Sequence, residues 1–240
     1  RVFIVARKGR TLGKSVTPYE FLTKKGILAR ALPVESTQLD CTEVSIDDDA
    51  EKVSKFFNKA GSEKSPFLNS GFFLDGMAYT IRTEAAPKSA KFQTLEDILQ
   101  PDSEIAESFY VPSSQLQEWK YLKGAKSIER IHKGSGAQYK YSEGAMAFPD
   151  LLTNPSRTIL TGEGGTSPSR FKHIIKTKNG YRRLTPVELE RLNGFPDNWT
   201  QLNQIGEIVS DTKRAFFMGN ALVVGLIEMV GKVIAKDMTN

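Results

Sequence analysis

The sequence predicts an α/β protein, because it begins with a strand-like apolar run and carries two helices with well-marked ends. Val2–Val5 is apolar without interruption, as expected of a parallel-sheet strand that is covered on both faces. Thr17 and Thr185 each begin a capping box, in which Pro follows the Thr and Glu lies three positions after it. A strand and at least two helices are therefore expected.

Taken in order, the first elements are a helix that starts at Thr17 and stops at Gly26, and a second helix that starts at the acidic residues 47–51. Phe67–Thr83 contains two apolar runs on either side of Asp75-Gly76. An Asp-Gly pair between two such runs is a strong hairpin signal. We therefore predict a β-hairpin at this point.

The middle of the chain carries weaker signals. Thr94–Leu99 and Ser114–Leu122 are predicted as short helices, and Lys123–Gln138 as a loop-rich segment with several cations. Arg157–Leu160 is predicted as a short strand that leads into the glycine-rich loop Gly162–Ser169. The glycines of this loop either allow its backbone to approach a ligand closely or make it an ordinary flexible loop.

The second capped helix runs from Thr185 to Gly194, and Pro196 prevents it from resuming. The final segment, Ala221–Ala235, is apolar on almost every side and is predicted to be a buried helix rather than a membrane span. The core side chains expected of it are Leu222, Val223, Leu226, Ile227, Met229, Val230, Val233 and Ile234.

Composition indicates a folded protein of one large or two small domains, with 240 residues and 39% hydrophobic content. A single cysteine, Cys41, excludes an internal disulfide and argues against a cysteine-based zinc site, so no metal is expected. A reducing compartment suits this usage, and we expect the cytoplasm.

Positive charge is concentrated in one part of the chain. The net charge is +5, but 13 Lys or Arg and only 5 Asp or Glu lie between Glu118 and Arg183, with His132 and His173 among them. Such a block is expected of a surface that neutralises phosphates. The alternative is a solvated lysine-rich face.

Two phrases near the end of the chain point to one family. Arg183–Trp199, RLTPVELERLNGFPDNW, and Met218–Val224, MGNALVV, resemble the last two conserved motifs of the bacterial DNA (cytosine-5) methyltransferases. Arg1–Val5, RVFIV, resembles the end of the arginine-containing motif of that family, which lies on a strand before the target recognition domain. Phe148–Arg170 resembles the family's recognition region.

The resemblance implies the C-terminal part of a class I, S-adenosylmethionine-dependent methyltransferase. Residues 1–30 would end the catalytic domain, 31–180 would form an inserted, mixed α/β target recognition domain, and 181–240 would return to the catalytic domain. Its function would be to bind a short duplex DNA site and to complete the active site. There, C5 of a flipped cytosine is methylated.

Three site residues follow from the resemblance alone. Arg1 matches the catalytic arginine that helps to hold the flipped cytosine, and a guanidinium suits that role because it stays charged. Asn220 and Ala221 match residues beside the cofactor, S-adenosylmethionine. Asn220 would also serve as an N-cap of the final helix, and the two roles are compatible.

The recognition region supplies the DNA-binding candidates. Thr158, followed by the aliphatic Ile159, matches the family's backbone-contacting Thr, and Arg170 is expected to bind guanine through two hydrogen bonds. The full set is Arg157, Thr158, Thr161, Gly164, Gly165, Ser169 and Arg170. Contacts with phosphates or solvent are expected of Lys172, His173, Lys176 and Lys178. Arg183 would also contact phosphates or solvent, or would pair within the fold.

The family's catalytic Pro-Cys and Glu-Asn-Val motifs and its glycine-rich cofactor turn are absent from this sequence. Cys41 follows Asp40, so a small structural residue is favoured over a catalytic thiol. The chain alone is therefore expected to be inactive. The catalytic half would be a partner chain or a missing part of the same chain, and the lack of an initiating Met favours the second.

Two other functions are compatible with parts of the sequence. A noncatalytic DNA-binding module or specificity subunit would have no reason to keep Gly219-Asn220-Ala221 beside a cofactor. An RNA-binding domain would need exposed aromatic side chains on a sheet face, and Phe72, Phe73 and Tyr79 are the only plausible set. In a hairpin these residues are more readily explained as core.

Overall fold

A computed structural model describes residues 2–8, 12, 15–46, 67–86, 93–134 and 136–239. The chain divides into two compact units, Arg1–Ala90 with Leu226–Asn240, and Lys91–Gly225. Each unit combines short helices with antiparallel strands. This mixed content agrees with the α/β prediction in its coarse form. The domain boundaries predicted at residues 30 and 180 stay a prediction, and the predicted helix at 47–51 lies outside the described residues.

The first unit contains the helix predicted from the Thr17 capping box. Thr17 Oγ1 accepts a hydrogen bond from the Glu20 N–H, and Glu20 Oε2 accepts one from the Thr17 N–H, each at 3.2 Å. Helix α1, Pro18–Glu20, continues as a π-helical turn, Phe21–Lys25, which ends at Gly26 as predicted. Helix α2, Ile27–Ala31, follows directly.

The strands of the first unit form two antiparallel sheets. These strands are β1 (Val34–Glu35), β2 (Thr42–Ser45), β3 (Ser70–Leu74), β4 (Met77–Ile81) and β5 (Glu84–Ala85). β1 pairs with β5, and the larger sheet has the order β2-β4-β3. The predicted hairpin is confirmed, and its turn has left-handed φ values of 48° at Asp75 and 80° at Gly76.

The aromatic side chains of this hairpin do not form an exposed platform. Phe72 stacks on Tyr79 with 4.8 Å between ring centroids, and the Phe21 ring lies 4.7 Å from Phe72. Phe73 is 63% exposed and points to the opposite face, so its expected place in the core was wrong. The arrangement expected of an RNA-binding sheet is therefore missing from this hairpin.

The second unit carries the segments that resemble the family motifs. Its 3₁₀ turns are Glu96–Ile98, Asp102–Glu104, Glu107–Phe109 and Ser113–Gln115. The helices are α3 (Leu116–Lys123), α4 (Pro186–Leu192) and α5 (Asp211–Asn220). The strands are β6 (Lys126–Ile131), β7 (Gln138–Glu143), β8 (Ile175–Thr177) and β9 (Gly180–Arg182), which pair as two hairpins. The core is formed by Leu95, Ile159, Ile175, Leu184, Leu189, Ala215 and Met218.

The structure differs in part from the secondary structure predicted for this unit. The helix at Ser114–Leu122 is confirmed, whereas Thr94–Leu99 forms only a 3₁₀ turn. The loop prediction for Lys123–Gln138 was wrong, because β6 pairs along its full length with β7. Arg157–Leu160 is not a strand, although Ile159 is buried, since the segment packs against a helix instead of a neighbouring strand.

The terminal helix, α6 (Val224–Met238), is much less buried than the sequence predicts. Of the eight expected core residues, only Val230 is buried, and Ile227 and Met229 are 38% and 42% exposed. A helix that is apolar all round needs neighbours on every side. The described part of the chain supplies too few of them.

The stretch Asp211–Met238 is apolar and long enough to cross a membrane by length and composition, with 11% of its most apolar window buried. Core helices of water-soluble proteins pass the same test, and residues 221–223 interrupt the helix. The predicted absence of a membrane span stays a prediction.

The predicted strand at Val2–Val5 is not formed. Val2 and Ile4 are each 85% exposed, and no strand pairs with this segment among the residues that can be described. A strand forms only where a neighbour accepts and donates its backbone hydrogen bonds. The apolar sequence is present, but the described residues supply no strand to pair with it.

Candidate functional site

Asn193 links the two C-terminal motifs within the second unit. It is 2% exposed, and its Nδ2 donates to the carbonyl oxygen of Met218 at 3.0 Å. Its own carbonyl accepts from the Val224 N–H at 2.8 Å. The next residue, Gly194, has a left-handed φ of 77° and ends α4 as predicted. Sequence reasoning missed Asn193, because its partners lie 25 and 31 residues further along the chain.

Glu188 fastens the start of α4 to β9. Its carboxylate accepts from Arg182 Nη1 and Nη2 at 2.8 and 2.7 Å, and both side chains are 0% exposed. The same carboxylate accepts from the N–H groups of Thr185 and Gln100 at 2.9 and 3.0 Å. The capping residue of the motif therefore also carries a fully buried, bidentate ion pair.

Glu190 holds the segment that follows Pro196. Its buried carboxylate accepts from the N–H groups of Asn198 and Thr200 at 2.7 and 2.9 Å, and also from the Thr200 hydroxyl. Arg214 of α5 donates to it at 3.0 Å. This one carboxylate thus joins α4, the chain beyond Pro196 and α5.

Helix α5 packs backbone to backbone against the predicted recognition region. A Cβ at Gly219 would lie 2.5 Å from both Cα and N of Thr161. A Cβ at Gly164 would lie 2.8 Å from Cα of Thr212. The close approach that Gly164 permits is therefore to α5, whereas Gly162 faces open space and Gly165 has a left-handed φ of 81°.

A buried Glu163–His173 pair anchors the glycine-rich loop. Glu163 Oε1 accepts from the His173 N–H at 2.6 Å and lies 3.0 Å from its Nδ1. The second ring nitrogen, Nε2, is 3.1 Å from Ser156 Oγ. His173 is 0% exposed, so the expectation that it meets phosphate or solvent was wrong. Its function here is to hold the loop in place.

Lys172 also anchors the glycine-rich loop. Its ammonium donates to the carbonyl oxygens of Gly165 and Ser167 at 3.1 and 2.7 Å. The side chain is buried, and burial lowers its pKa. The expected phosphate or solvent contact was therefore wrong for Lys172 also. Lys176 and Lys178 are exposed, as that expectation requires.

Asp150 binds two of the cations of the basic block. Arg157 Nε and Nη2 donate to its two carboxylate oxygens at 2.8 and 3.1 Å, and the Ile174 N–H donates at 2.9 Å. Burial acts to raise the pKa of Asp150, but Arg157, the Ile174 N–H and Lys123 together hold it below its ordinary value. The ammonium of Lys123 lies 3.7 Å from the carboxylate and donates to the Lys172 carbonyl at 2.5 Å.

Lys123 gives a pH-dependent prediction. Burial lowers its pKa from 10.5 to about 8, so between these values the unfolded chain binds more protons than the folded one. The free energy of unfolding should therefore rise with pH across this window, and the gain is lost as pH falls through 8. Relative to Lys123→Met, we expect the natural protein to gain about 2 kcal/mol between pH 7 and 9.5.

Urea denaturation of both proteins at the two pH values measures this difference, because groups common to both cancel. A difference that stays constant with pH would mean that Lys123 titrates normally.

The predicted DNA-binding residues fall into two groups. Thr158 and Thr161 are exposed, and Ser169 is half-buried. The Arg157 guanidinium donates hydrogen bonds to the Asp150 carboxylate and to the carbonyls of Phe171 and Lys172. This guanidinium, like that of Arg170, is thus directed at protein acceptors.

Arg170 is fastened to the ends of α3 and β7. It donates to the carbonyls of Leu122 and Gly124 at 3.2 Å each and to that of Gly144, and it pairs with Glu143 at 3.2 Å. A contact with guanine would require these bonds to be exchanged, and it stays a prediction.

Arg183 pairs within the fold, the second of its two expected roles. Its Nη2 donates to the Ser108 carbonyl at 2.6 Å, and its guanidinium lies 5.1 Å from the centre of the Phe109 ring. Burial lowers its pKa. Arg183 also lines two cavities of about 170 and 390 Å³ that adjoin Thr166 in the glycine-rich loop.

The predicted cofactor residues lie at the end of α5. Asn220 is exposed and donates to the Phe216 carbonyl at 3.1 Å, so it ends one helix and does not cap the next, which was the other expectation. Ala221 packs against the core. Neither of the two cavities is lined by these residues. Arg1 lies outside the described residues, and no metal-binding cluster occurs within them.

The sequence model of the C-5 cytosine-specific DNA methylases matches residues 2–236. The chain belongs to this family.

The chain is also similar to the type II methyltransferase M.Sau3AI of Staphylococcus aureus, with 39% identity over 213 residues. The matched region covers 88% of this chain and 47% of M.Sau3AI, so the chain spans about half the length of that relative. Membership confirms the resemblance at the level of a DNA cytosine methyltransferase family. Enzymes of this family use S-adenosylmethionine in general.

Proposed function

We propose that this chain is the C-terminal, DNA-recognising part of a DNA (cytosine-5) methyltransferase. The observation that carries the proposal is the contact of Gly219 with Thr161. This contact joins the helix that we interpret as the last motif to the segment that we interpret as the recognition region. A rigid joint of this kind would hold a bound DNA site at a constant position relative to the active site, as methyl transfer requires.

The DNA side of the proposal rests on the exposed Thr158 and Thr161 and on the loop anchored by Glu163 and Lys172. An anchored loop loses little conformational entropy when it binds, so its backbone N–H and hydroxyl groups are well suited to position a duplex. The type II character of M.Sau3AI supports a role in restriction-modification. A cytoplasmic location is part of the same proposal.

A catalytic half is part of the proposal because apolar side chains remain uncovered in both units. In the second unit these are Phe216, Phe217, Leu222 and Val223, and in the first they are Val2, Ile4, Ile227 and Met229. Exposed apolar residues in such numbers mark surfaces that another protein segment covers. The occupant we propose is the half that carries the Pro-Cys and Glu-Asn-Val motifs.

The described residues do not enclose S-adenosylmethionine. Asn220 is open to solvent on one side, and exposed Phe216 and Leu222 lie near it in sequence. We propose that these residues form one wall of the cofactor site and that the catalytic half provides the rest. The cofactor would supply the methyl group.

The test is transfer of labelled methyl groups to duplex DNA. We expect no transfer by this chain alone, and transfer once a polypeptide with the Pro-Cys and Glu-Asn-Val motifs is added. Thr158→Ala should reduce transfer roughly 10-fold through a lost phosphate hydrogen bond. Thr153→Ala is the matched control, because Thr153 is exposed in the same segment and outside the candidate set.

Two results would contradict the proposal. Equal effects of the two threonine variants would remove Thr158 from the DNA interface. Site-specific DNA binding by a complete assembly that transfers no methyl group would favour the binding-only function.

A further inference from the structure

The β6–β7 hairpin is the most exposed element of the second unit. Its six residue pairs run from Lys126 opposite Glu143 to Ile131 opposite Gln138. Nine of the twelve strand residues are exposed, and only Lys126, Tyr141 and Glu143 are half-buried. At about 3.3 Å per residue, the ribbon is roughly 20 Å long. It contributes nothing to the hydrophobic core, so burial does not explain its presence.

The base of this ribbon is fixed to the end of the glycine-rich loop. Arg170, one residue after that loop, donates to the carbonyls of Gly124 before β6 and Gly144 after β7. Arg170 also pairs with Glu143, which lies 4.0 Å from the Lys126 ammonium. These contacts fix the direction of the ribbon relative to the glycine-rich loop, although most of the ribbon is exposed to solvent.

Cations and an aromatic stack lie along the ribbon. The Arg130 guanidinium is 3.8 Å from the centre of the Tyr141 ring, a cation–π contact between the two strands. Lys133 lies in the turn, and Lys140 lies opposite Glu129 without an ion pair in the described structure. Between residues 127 and 142 the charged side chains are thus three exposed cations, Arg130, Lys133 and Lys140, and one acid, Glu129, which gives this part of the ribbon a net positive charge.

We propose that the β6–β7 ribbon is a second DNA-contacting element, which enters the major groove beside the recognised site and places Lys133 and Lys140 against phosphates. The inference rests on the proposed function and extends it from a loop to a loop and a ribbon. A two-stranded ribbon fits the major groove, which is about 12 Å wide. Phosphate contacts from its lysines would strengthen binding without reading sequence.

The experiment is a salt titration of DNA affinity, by fluorescence anisotropy, for the full chain and for the double variant K133A/K140A. Each phosphate contact contributes about 0.9 to the slope of log K against log salt, so the slope should fall by about 1.8. Affinity at 0.1 M salt should fall on the order of 10- to 60-fold. K24A/K25A removes two exposed lysines from the first unit and should change neither value.

A second variant should change the DNA affinity in the opposite direction. Glu129→Gln removes an acid from the same ribbon, so DNA should bind more tightly and not more weakly. All three variants alter exposed side chains, and equal melting temperatures will show that folding is unchanged.

Each remaining outcome is decisive. If the natural chain binds DNA and K133A/K140A behaves like K24A/K25A, the ribbon proposal is overturned while the proposed function stands. If K133A/K140A weakens association with the catalytic half but leaves DNA affinity unchanged, the ribbon is a protein contact and the proposal is again overturned. If the natural chain and its complete assembly fail to bind DNA, both proposals fall.

Discussion

Replacing Glu188 by alanine should lower the free energy of unfolding by about 3–5 kcal/mol, because it leaves the Arg182 guanidinium buried without its partner. Both side chains are 0% exposed, and the carboxylate also accepts the Thr185 and Gln100 N–H groups. Four N–H hydrogen bonds would lose their acceptor together, two from Arg182 and two from the backbone. Urea denaturation of the full chain measures the loss.

The Arg191–Asp197 pair is the matched control. It has the same bidentate geometry, with distances of 2.8 and 2.7 Å, but its side chains are 31% and 48% exposed. Asp197→Ala should therefore cost less than about 1 kcal/mol. The double variant R182M/E188L should lose less than the sum of its single changes, since no unpaired charge remains. Equal losses for Glu188→Ala and Asp197→Ala would show that burial does not set the strength of the first pair.

Local patterns in the sequence predicted local structure well. The capping boxes at Thr17 and Thr185 and the turn at Asp75-Gly76 all form as predicted. In each case the deciding contacts lie within four residues of one another. Such contacts are determined by neighbouring residues and do not depend on the rest of the fold.

Elements that depend on distant partners were predicted less well. Val2–Val5 has the composition of a buried strand, and α6 has that of a buried helix, yet both remain largely exposed. The prediction failed in the opposite sense for β6. Its charged sequence indicates a loop, but the segment pairs with β7 and is a strand. Apolar pattern predicts that a surface needs cover, but it does not say which segment provides the cover.

The basic block shows the same limit for charge. Three of its five acids, Glu143, Asp150 and Glu163, bind Arg170, Arg157 and His173 inside the second unit. Spacing along the chain does not reveal these pairs, so it does not show that Arg157 and Arg170 bind protein acceptors in this structure. Of the exposed cations of this block, Arg130, Lys133 and Lys140 lie on the β6–β7 ribbon, and Lys120, Lys176 and Lys178 lie elsewhere in the second unit.

The joint between α5 and the recognition region makes Gly219→Ala the second large prediction. The new Cβ would lie 2.5 Å from Cα and N of Thr161, and backbone atoms cannot rotate away as a flexible side chain can. Overpacking costs about 1–3 kcal/mol, and a 2.5 Å contact with backbone atoms belongs at the upper end of that range, above the roughly 1 kcal/mol that alanine gains over glycine in a helix. We therefore expect a net loss of stability, together with weaker DNA recognition as Thr161 is displaced.

Gly231→Ala tests the same substitution where space is available. Gly231 lies in α6 with no atom within 4 Å of the position its Cβ would occupy. Only the helix propensity term remains there, so the variant should gain about 0.5–1 kcal/mol. Denaturation curves should therefore shift in opposite directions for the two variants. If Gly219→Ala were as stable as Gly231→Ala, helix α5 could move away from Thr161 at little cost. The last motif and the recognition region would then not be rigidly joined, and the main support for the proposed function would be lost.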